Sequence, residues 1–275
     1  MNFDCDYVGK IGSMALIRKE DNEIDYNIFS RLGADLCPGW IWISSGATEI
    51  GRIDYMKRNN NVELSGDIDD VKTDYASQGQ AILMENYRRF INQSFSVRQV
   101  LLEHQHFNDM EKCEHIRKLL FRCCKQNAIP IINYNDPVSN DENRKMELNN
   151  LREYTDNVVE CVDNDETAAV VATLMKAKTL VILTGVDGIY ARHNDPSTLI
   201  KEISGANTYE LIENIRVAQN GCIGASRAGA NGAKAKLEYI IEPIKNGTTV
   251  IIGNAHHKLS DLINGKVERT IIHIR

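Results

Sequence analysis

Residues 115–137 read HIRKLLFRCCKQNAIPIINYNDP, and the change of period inside this stretch decides the fold class. From His115 to Gln126, Ile116, Leu119, Leu120 and Cys123/Cys124 recur three and four apart, the spacing of an amphipathic helix. Ile129-Pro130-Ile131-Ile132-Asn133 then runs as a short apolar strand and stops in Asn, Asp and Pro. The same alternation extends in both directions. Upstream, Ile41-Trp42-Ile43-Ser44-Ser45-Gly46 is an apolar strand entering a small-residue turn, and Gln78 to Phe90 carries Ile82, Leu83, Tyr87 and Phe90 at helical spacing. Downstream come Val158–Val162 as a short strand, a helix from about Thr167 to Lys176, and a buried strand Thr179–Leu183 stopped by Gly185 and Gly188. A helix from Ala233 to Ile241 and strands at Thr248–Ile252 and Thr270–Ile274 follow. Strand and helix in alternation predict an α/β fold whose mainly parallel sheet is covered on both faces.

The chain has 275 residues, enough for one large two-lobed domain or two small ones. Apolar residues make up 43%, yet no apolar run approaches the roughly 18 residues of a membrane helix. The start, MNFDCDYVGK, carries two acids where a signal peptide carries cations, so a cytoplasmic protein is expected. Thirty-two cations against 38 acids leave a net charge of −6, with no basic stripe for a nucleic-acid backbone. Seven scattered cysteines include no Cys-x-x-Cys and no zinc spacing, and read as reduced thiols that mostly pack in the interior. The segment Asp141 to Asn157, DENRKMELNNLREYTDN, resists the pattern: its high charge reads as a mobile lid or a surface helical excursion.

In open α/β sheets ligands bind beyond the C-terminal ends of the strands, so the strand-end loops hold the candidate chemistry. Lys10-Ile11-Gly12-Ser13 leads a lysine into a tight turn with a hydroxyl. Ser44-Ser45-Gly46-Ala47 lets a substrate approach the backbone at a helix start. Asn133-Tyr134-Asn135-Asp136-Pro137 sets two amides and a carboxylate in one loop, suited to a zwitterion. In Val162-Asp163-Asn164-Asp165, Asp165 or Glu166 either caps the next helix or faces a ligand. Thr184-Gly185-Val186-Asp187-Gly188-Ile189-Tyr190 is a turn suited to a nucleotide. Residues 224–236, GASRAGANGAKAK, form a Gly/Ala-rich loop with a lysine one turn into a helix, able to cradle phosphates without being a Walker A motif. Each has an ordinary structural alternative as a turn or a cap.

The order of these landmarks resembles the amino-acid kinase family, and within it the glutamate 5-kinase branch without a C-terminal PUA (RNA-binding-like) domain. The resemblance runs from about residue 8 to 255. It is carried by Lys10/Gly12/Ser13, SSGATEIGR at Ser44–Arg52, Gln78-Gly79-Gln80 leading a helix, and QVLLEHQHF at Gln99–Phe107. IPIINYNDPVS at Ile129–Ser139, VDNDETAA at Val162–Ala169, LTGVDGIY at Leu183–Tyr190 and GANGAKAKL at Gly229–Leu237 complete it.

The resemblance implies a three-layer αβα sandwich with a substrate lobe over 1–170 and a nucleotide lobe over 171–275. It implies transfer of the ATP γ-phosphoryl to the side-chain carboxylate of L-glutamate, the first step toward proline, with Mg²⁺ riding on the ATP phosphates. On this reading Lys10 and Lys236 stabilise the transferring phosphoryl and Asp165 holds them in place. Ser45, Gly46, Ala47 and Asn135 touch the substrate, Asp136 receives its α-ammonium and Asn164 contacts its carboxylate end. Gly12, Ser13, Thr184, Gly185, Asp187, Gly188, Tyr190, Gly229, Asn231, Gly232 and Lys236 line the nucleotide. No protein residue is implied as a metal ligand, the partner is a small molecule rather than nucleic acid or membrane, and a homo-oligomer, dimer or tetramer, is expected. Three departures stand out: Gly185 replaces an aspartate, GANGA at 229–233 replaces a loop with a hydroxyl, and the polar segment after Asp136 is longer. The alternatives are a kinase of the same fold acting on another small anion, such as a different carboxylate, a phosphonate or a phosphate monoester, and a non-catalytic nucleotide or metabolite binder.

Overall fold

All seven residues of the strand Ala128–Tyr134 and all five of Trp40–Ser44 are buried, which explains why these runs are apolar up to the polar residues Asn133 and Ser44 near their ends rather than alternating. The computed structural model describes residues 3–18, 20–139, 141–155, 158–161, 163–192, 195–221 and 232–275. Its main elements, in chain order, are β1 (Cys5–Ile11), α1 (Tyr26–Asp35), β2 (Trp40–Ser44), α2 (Ala47–Arg58), α3 (Ile68–Phe90), β3 (Ser96–Leu102), α4 (Met110–Lys125) and β4 (Ala128–Tyr134). Then follow α5 (Asp141–Arg152), α6 (Asn164–Leu174), β5 (Ala177–Thr184), β6 (Glu202–Gly205), α7 (Thr208–Gly221), α8 (Ala233–Tyr239), β7 (Thr249–Asn254) and β8 (Arg269–Ile274). The fold is the expected one, a mainly parallel sheet flanked by helices.

Two compact units divide the chain, and neither is continuous in sequence. The first comprises Met1–Ile11, Gly39–Ile43 and Asp165–Arg275; the second comprises Gly12–Pro38 and Ser44–Asn164. The continuous lobes read from the sequence, with a boundary at 170, therefore differ from the compact units, because β1 and β2 belong with the C-terminal part.

In the first unit the strand order is β6-β8-β7-β5-β1-β2. β5 runs parallel to both β1 and β7, and β6 runs parallel to β8. β8 lies antiparallel to β7, with Val250 opposite Ile272. In the second unit β3 and β4 pair in parallel from Ser96↔Ala128 to Leu102↔Tyr134.

Element ends differ from the sequence reading where capping outweighs periodicity. α3 begins ten residues before Gln78 because Asp67 accepts hydrogen bonds from the Asp69 and Asp70 N–H groups, and its first turns are too polar to show an apolar stripe. α4 likewise begins at Met110, capped by Asp109. The helix read from Ala233 to Ile241 ends at Tyr239, and a short helix Ile241–Lys245 follows. Residues 158–161 form no strand: the side chain of Asn108 donates to the Val159 carbonyl at 2.8 Å and accepts from its N–H at 2.9 Å, replacing a neighbouring strand for that residue. Of the six described cysteines only Cys123 and Cys161 are buried and Cys37 is exposed, so the expectation of mostly interior thiols is corrected. No helix among the described residues is long and apolar enough to cross a membrane.

α2 and α3 cross backbone against backbone. A Cβ added to Gly79 would lie 1.8 Å from the Ala47 carbonyl oxygen, and one added to Gly51 would lie 1.8 Å from that of Tyr75. This contact sets the position of the α2 N-terminus. Gly79→Ala is expected to lower stability by about 1–3 kcal/mol, because backbone atoms cannot move aside as a side chain can. Urea denaturation measures it, and a variant as stable as the parent would mean that the helices separate without cost.

Candidate active site

Within the first unit, β1 ends in a buried cation and α6 opens with a buried anion. Lys10, 5% exposed, places Nζ 2.7 Å from Asp165 Oδ1. Lys236, on α8, places Nζ 3.1 Å from Asp165 Oδ2. One carboxylate thus holds two ammonium groups, one on each oxygen, although the three residues lie far apart in sequence. Burial pushes the Asp165 carboxyl up, but the charges and hydrogen bonds of Lys10 and Lys236 outweigh it and hold the group below the ordinary carboxylate range. α6 starts at Asn164, not near Thr167, so Asp165 lies inside its first turn, where the helix N-terminus favours a negative charge. The capping alternative for Asp165 is therefore replaced by an ion-pair role.

Within the second unit, β2 ends at Ser44 and the chain turns at Gly46 into α2. Gly46 has φ of 115°, the left-handed region, and a Cβ there would lie 2.8 Å from Leu16 Cδ1, so only glycine fits. The turn leaves Ser45, Gly46 and Ala47 at a helix start, whose first N–H groups have no intrahelical acceptor. Ser44 beneath it is fixed by the Tyr87 hydroxyl, which donates to Ser44 Oγ at 2.8 Å. Asn164 donates from Nδ2 to Ser45 Oγ at 3.1 Å and to Asn133 Oδ1 at 2.9 Å. Asn133 in turn donates to Gln80 Oε1 at 2.8 Å. Asn135 is tied to Glu103 at 2.7 Å, and Asp136 follows half-buried in the same turn.

Asn133 and Gln80 lie in two of the landmark stretches, and the sequence reading misses them as members of this network. The available signal was an amide on an otherwise apolar helix face, Gln80 among Ala76, Leu83 and Met84.

The polar segment is helical over α5 (Asp141–Arg152). Leu148 is buried, Arg144 stacks over the Tyr134 ring at 5.6 Å, and Glu147 meets His104 at 2.9 Å. Burial lowers the His104 pKa against Glu147 and Glu103, with Arg144 adding to the lowering, so a neutral imidazole donates Nε2–H to the Glu147 carboxylate. α5 is thus held against Tyr134 at the end of β4 and against His104. Asp156 and Asn157, at its end, lie outside the described residues.

A model of the amino acid kinase family matches residues 8–254. The chain belongs to the amino acid kinase family. Among curated relatives, a glutamate 5-kinase of Clostridium perfringens is 29% identical over 264 residues, which covers 93% of this chain and 87% of that one. A glutamate 5-kinase of Halalkalibacterium halodurans is 31% identical over 239 residues, covering 84% of this chain and 56% of that one, so the chain spans little more than half of that relative. In structure, the carbamate kinase from Giardia lamblia bound to AMP-PNP aligns with a TM-score of 0.61 at 15% identity, covering 97% of this chain and 98% of that one, a likeness of fold.

The remaining positions singled out on the family resemblance divide three ways. Gly12 and Ser13 form the 3-10 turn after β1, Ser13 accepting the Leu16 N–H at 3.0 Å through its carbonyl. Thr184 Oγ1 bonds within its own turn to Val186, and Asp187 accepts from Asn254 Nδ2 at 3.1 Å while its N–H donates to the Tyr190 hydroxyl at 3.3 Å. Gly188 is buried, and a Cβ there would lie 2.4 Å from Thr270 Oγ1, so packing on β8 accounts for this glycine. Gly185 is exposed with open space around a Cβ, so the missing family aspartate is not excluded by sterics. Gly232 precedes α8 in extended conformation, while Gly229 and Asn231 lie outside the described residues.

Proposed function

We propose that the protein transfers the γ-phosphoryl group of Mg-ATP to the side-chain carboxylate of L-glutamate, the first step of proline biosynthesis. A phosphotransferase with a carboxyl acceptor is the enzyme class of the relatives named glutamate 5-kinase. The observation that carries the reading is the Lys10–Asp165–Lys236 triad. In phosphoryl transfer a P–O bond to the attacking carboxylate forms while the bond to the β–γ bridging oxygen breaks and ADP leaves. A carboxylate ionised at pH 7 has no proton to surrender, so no general base is needed. What remains is positioning and the stabilisation of negative charge on the phosphoryl oxygens, which two preorganised ammonium groups supply.

Among the described residues no group of three or more His, Cys, Asp and Glu side chains could hold a metal ion, and both Asp165 oxygens face lysines. Mg²⁺ belongs with the nucleotide as part of the substrate. Ser45, Gly46 and Ala47 offer donors to an anionic substrate, and Asp136 supplies the charge for an ammonium. The same reading makes the protein a cytoplasmic homo-oligomer, dimer or tetramer.

ADP release from Mg-ATP with a panel of L-glutamate, glutarate, a phosphonate and a phosphate monoester tests the assignment. Turnover restricted to L-glutamate supports it; preference for a phosphonate or phosphate ester, or no turnover with any acid, overturns it. Asp136→Ala is expected to raise KM for glutamate by about 10- to 100-fold and to change kcat much less, the cost of losing a hydrogen bond to a charged group. An unchanged KM would remove Asp136 from the substrate site.

A further inference from the structure

Within the second unit, α5 is held from one face. Arg144, Glu147 and Leu148, spaced three and four apart, turn the same way: Arg144 over the Tyr134 ring at 5.6 Å, Glu147 to His104 at 2.9 Å, and Leu148 into the interior. Lys145, Met146, Asn149 and Asn150 are exposed, and Leu148 alone is buried among the described side chains of this helix. Polar contacts therefore carry much of the docking. His104 is the fixed side of one of them: it is 1% exposed, and its carbonyl accepts from Asn108 Nδ2 at 2.8 Å.

A carboxylate only accepts, so the hydrogen of the neutral imidazole sits on Nε2, facing Glu147. Nδ1 is then a bare lone pair, buried and, among the described residues, without a hydrogen-bond partner. A second proton has to go on Nδ1, where no described acceptor meets it and where the charge is buried. The charged groups acting on the ring are Glu147 and Arg144 from α5 and Glu103 from its own loop. Burial lowers the His104 pKa, Glu147 and Glu103 oppose it, and Arg144 adds to the lowering. Once α5 leaves, the ring meets water on the side the helix covered and protonates near the ordinary value of about 6.5. Resting on the glutamate reading above, we infer that His104 is a positioning residue whose neutral imidazole clasps α5 beside the substrate loop, and that protonation of His104 releases the helix. The docked form binds the proton more weakly, so docking is complete above the ordinary histidine value and is lost as pH falls below it. Release reaches the substrate loop by two routes. Tyr134, under Arg144, precedes Asn135 and Asp136 and pairs its hydroxyl with Ser139 Oγ at 2.8 Å, while Glu103, next to His104, holds Asn135 Nδ2 at 2.7 Å.

Amide hydrogen exchange over residues 144–152 of the whole protein, expressed as protection relative to an unstructured chain, tests the clasp without any ligand. Protection is expected to fall about tenfold or more between pH 7.5 and 5.5 in the parent, the loss of one hydrogen bond to a charged group. In His104→Gln, which keeps an N–H toward Glu147 and does not titrate, it is expected to change by less than about twofold. Unchanged protection in the parent overturns the inference. So does an equal fall in parent and variant, which assigns the release to another group, first of all His106, whose Nδ1 accepts the Glu103 N–H at 3.0 Å. Should His104→Gln not fold, nitrogen NMR of the parent decides: a His104 ring protonated at Nε2 alone at pH 7.5, gaining its second proton as α5 loses protection, supports the clasp. A doubly protonated ring at pH 7.5, or protection that persists after the second proton is bound, overturns it. KM for L-glutamate is expected to rise about fivefold or more over the same range in the parent and less than about twofold in His104→Gln, with kcat changing much less. Release of α5 with KM unmoved overturns the positioning role. Absence of turnover with glutamate in the parent overturns the functional reading, while the exchange result still decides the clasp.

Discussion

Lys236→Ala and Lys10→Ala are each expected to lower kcat by two orders of magnitude or more, because one preorganised charge at a developing anion contributes roughly 3–4 kcal/mol to the transition state. The two differ in what they do to the resting protein. The Lys236 side chain is one-fifth exposed, so its loss leaves room for water beside Asp165 Oδ2. Lys10 is nearly closed off at the end of β1, and its removal leaves a buried carboxylate with half its counter-charge gone. Lys236→Ala therefore separates chemistry from folding more cleanly. Steady-state ADP release, with far-ultraviolet circular dichroism to confirm the fold, measures both. Near-normal turnover in either variant would remove that lysine from the reaction, and a fall in KM affinity with kcat intact would make it a binding group only.

Asp165→Asn is expected to cost both stability and turnover. It leaves two ammonium groups without the carboxylate that holds them, and breaking a buried ion pair from one side typically costs about 3–5 kcal/mol. The pH dependence has a definite sign. The Asp165 carboxyl binds its proton more weakly in the folded chain than in the unfolded one. Its contribution to stability is therefore complete above the unfolded value of about 4 and is lost as pH falls through the lower folded value. Urea denaturation of parent and variant should show a gap that is constant from pH 7 to 5 and narrows only in more acid solution. A gap that persists unchanged below pH 4 would mean that the variant loses packing rather than charge. Should Asp165→Asn change the melting temperature alone, with kcat preserved, the carboxylate would organise the helix start and not the lysines.

The buried strands were legible because a parallel strand covered on both faces has no polar side to show: IPIIN and WIWIS could hardly be anything else. The turn at Gly46 and the acid-rich start of α6 were legible too, since left-handed backbone and helix N-termini select residue types locally. α3 was half legible. Its first ten residues are helical through the Asp67 cap, and an exposed polar stretch carries no period to read. The helix α5 was open between two readings because its own composition is too polar for a core, and what holds it are Leu148, the Arg144–Tyr134 stack and the His104–Glu147 bond, all made with or into other elements.

The division follows from what each kind of information constrains. Local sequence alone determined the α/β class and the strand-end loops, because hydrophobic period, glycine geometry and capping act within a few residues; Lys10, Ser45, Asp136, Asn164, Asp165 and Lys236 were singled out within those loops by the family resemblance. Tertiary structure decided which of these meet: it set Lys10 and Lys236 on opposite oxygens of Asp165, turned β8 antiparallel to β7, and brought Gln80, Asn133 and Asn164 into one relay. Such contacts depend on the register of strands and the crossing of helices. Directional hydrogen bonds and ion pairs between residues distant in sequence form only after apolar burial has set those distances, so no local window of the sequence contains them.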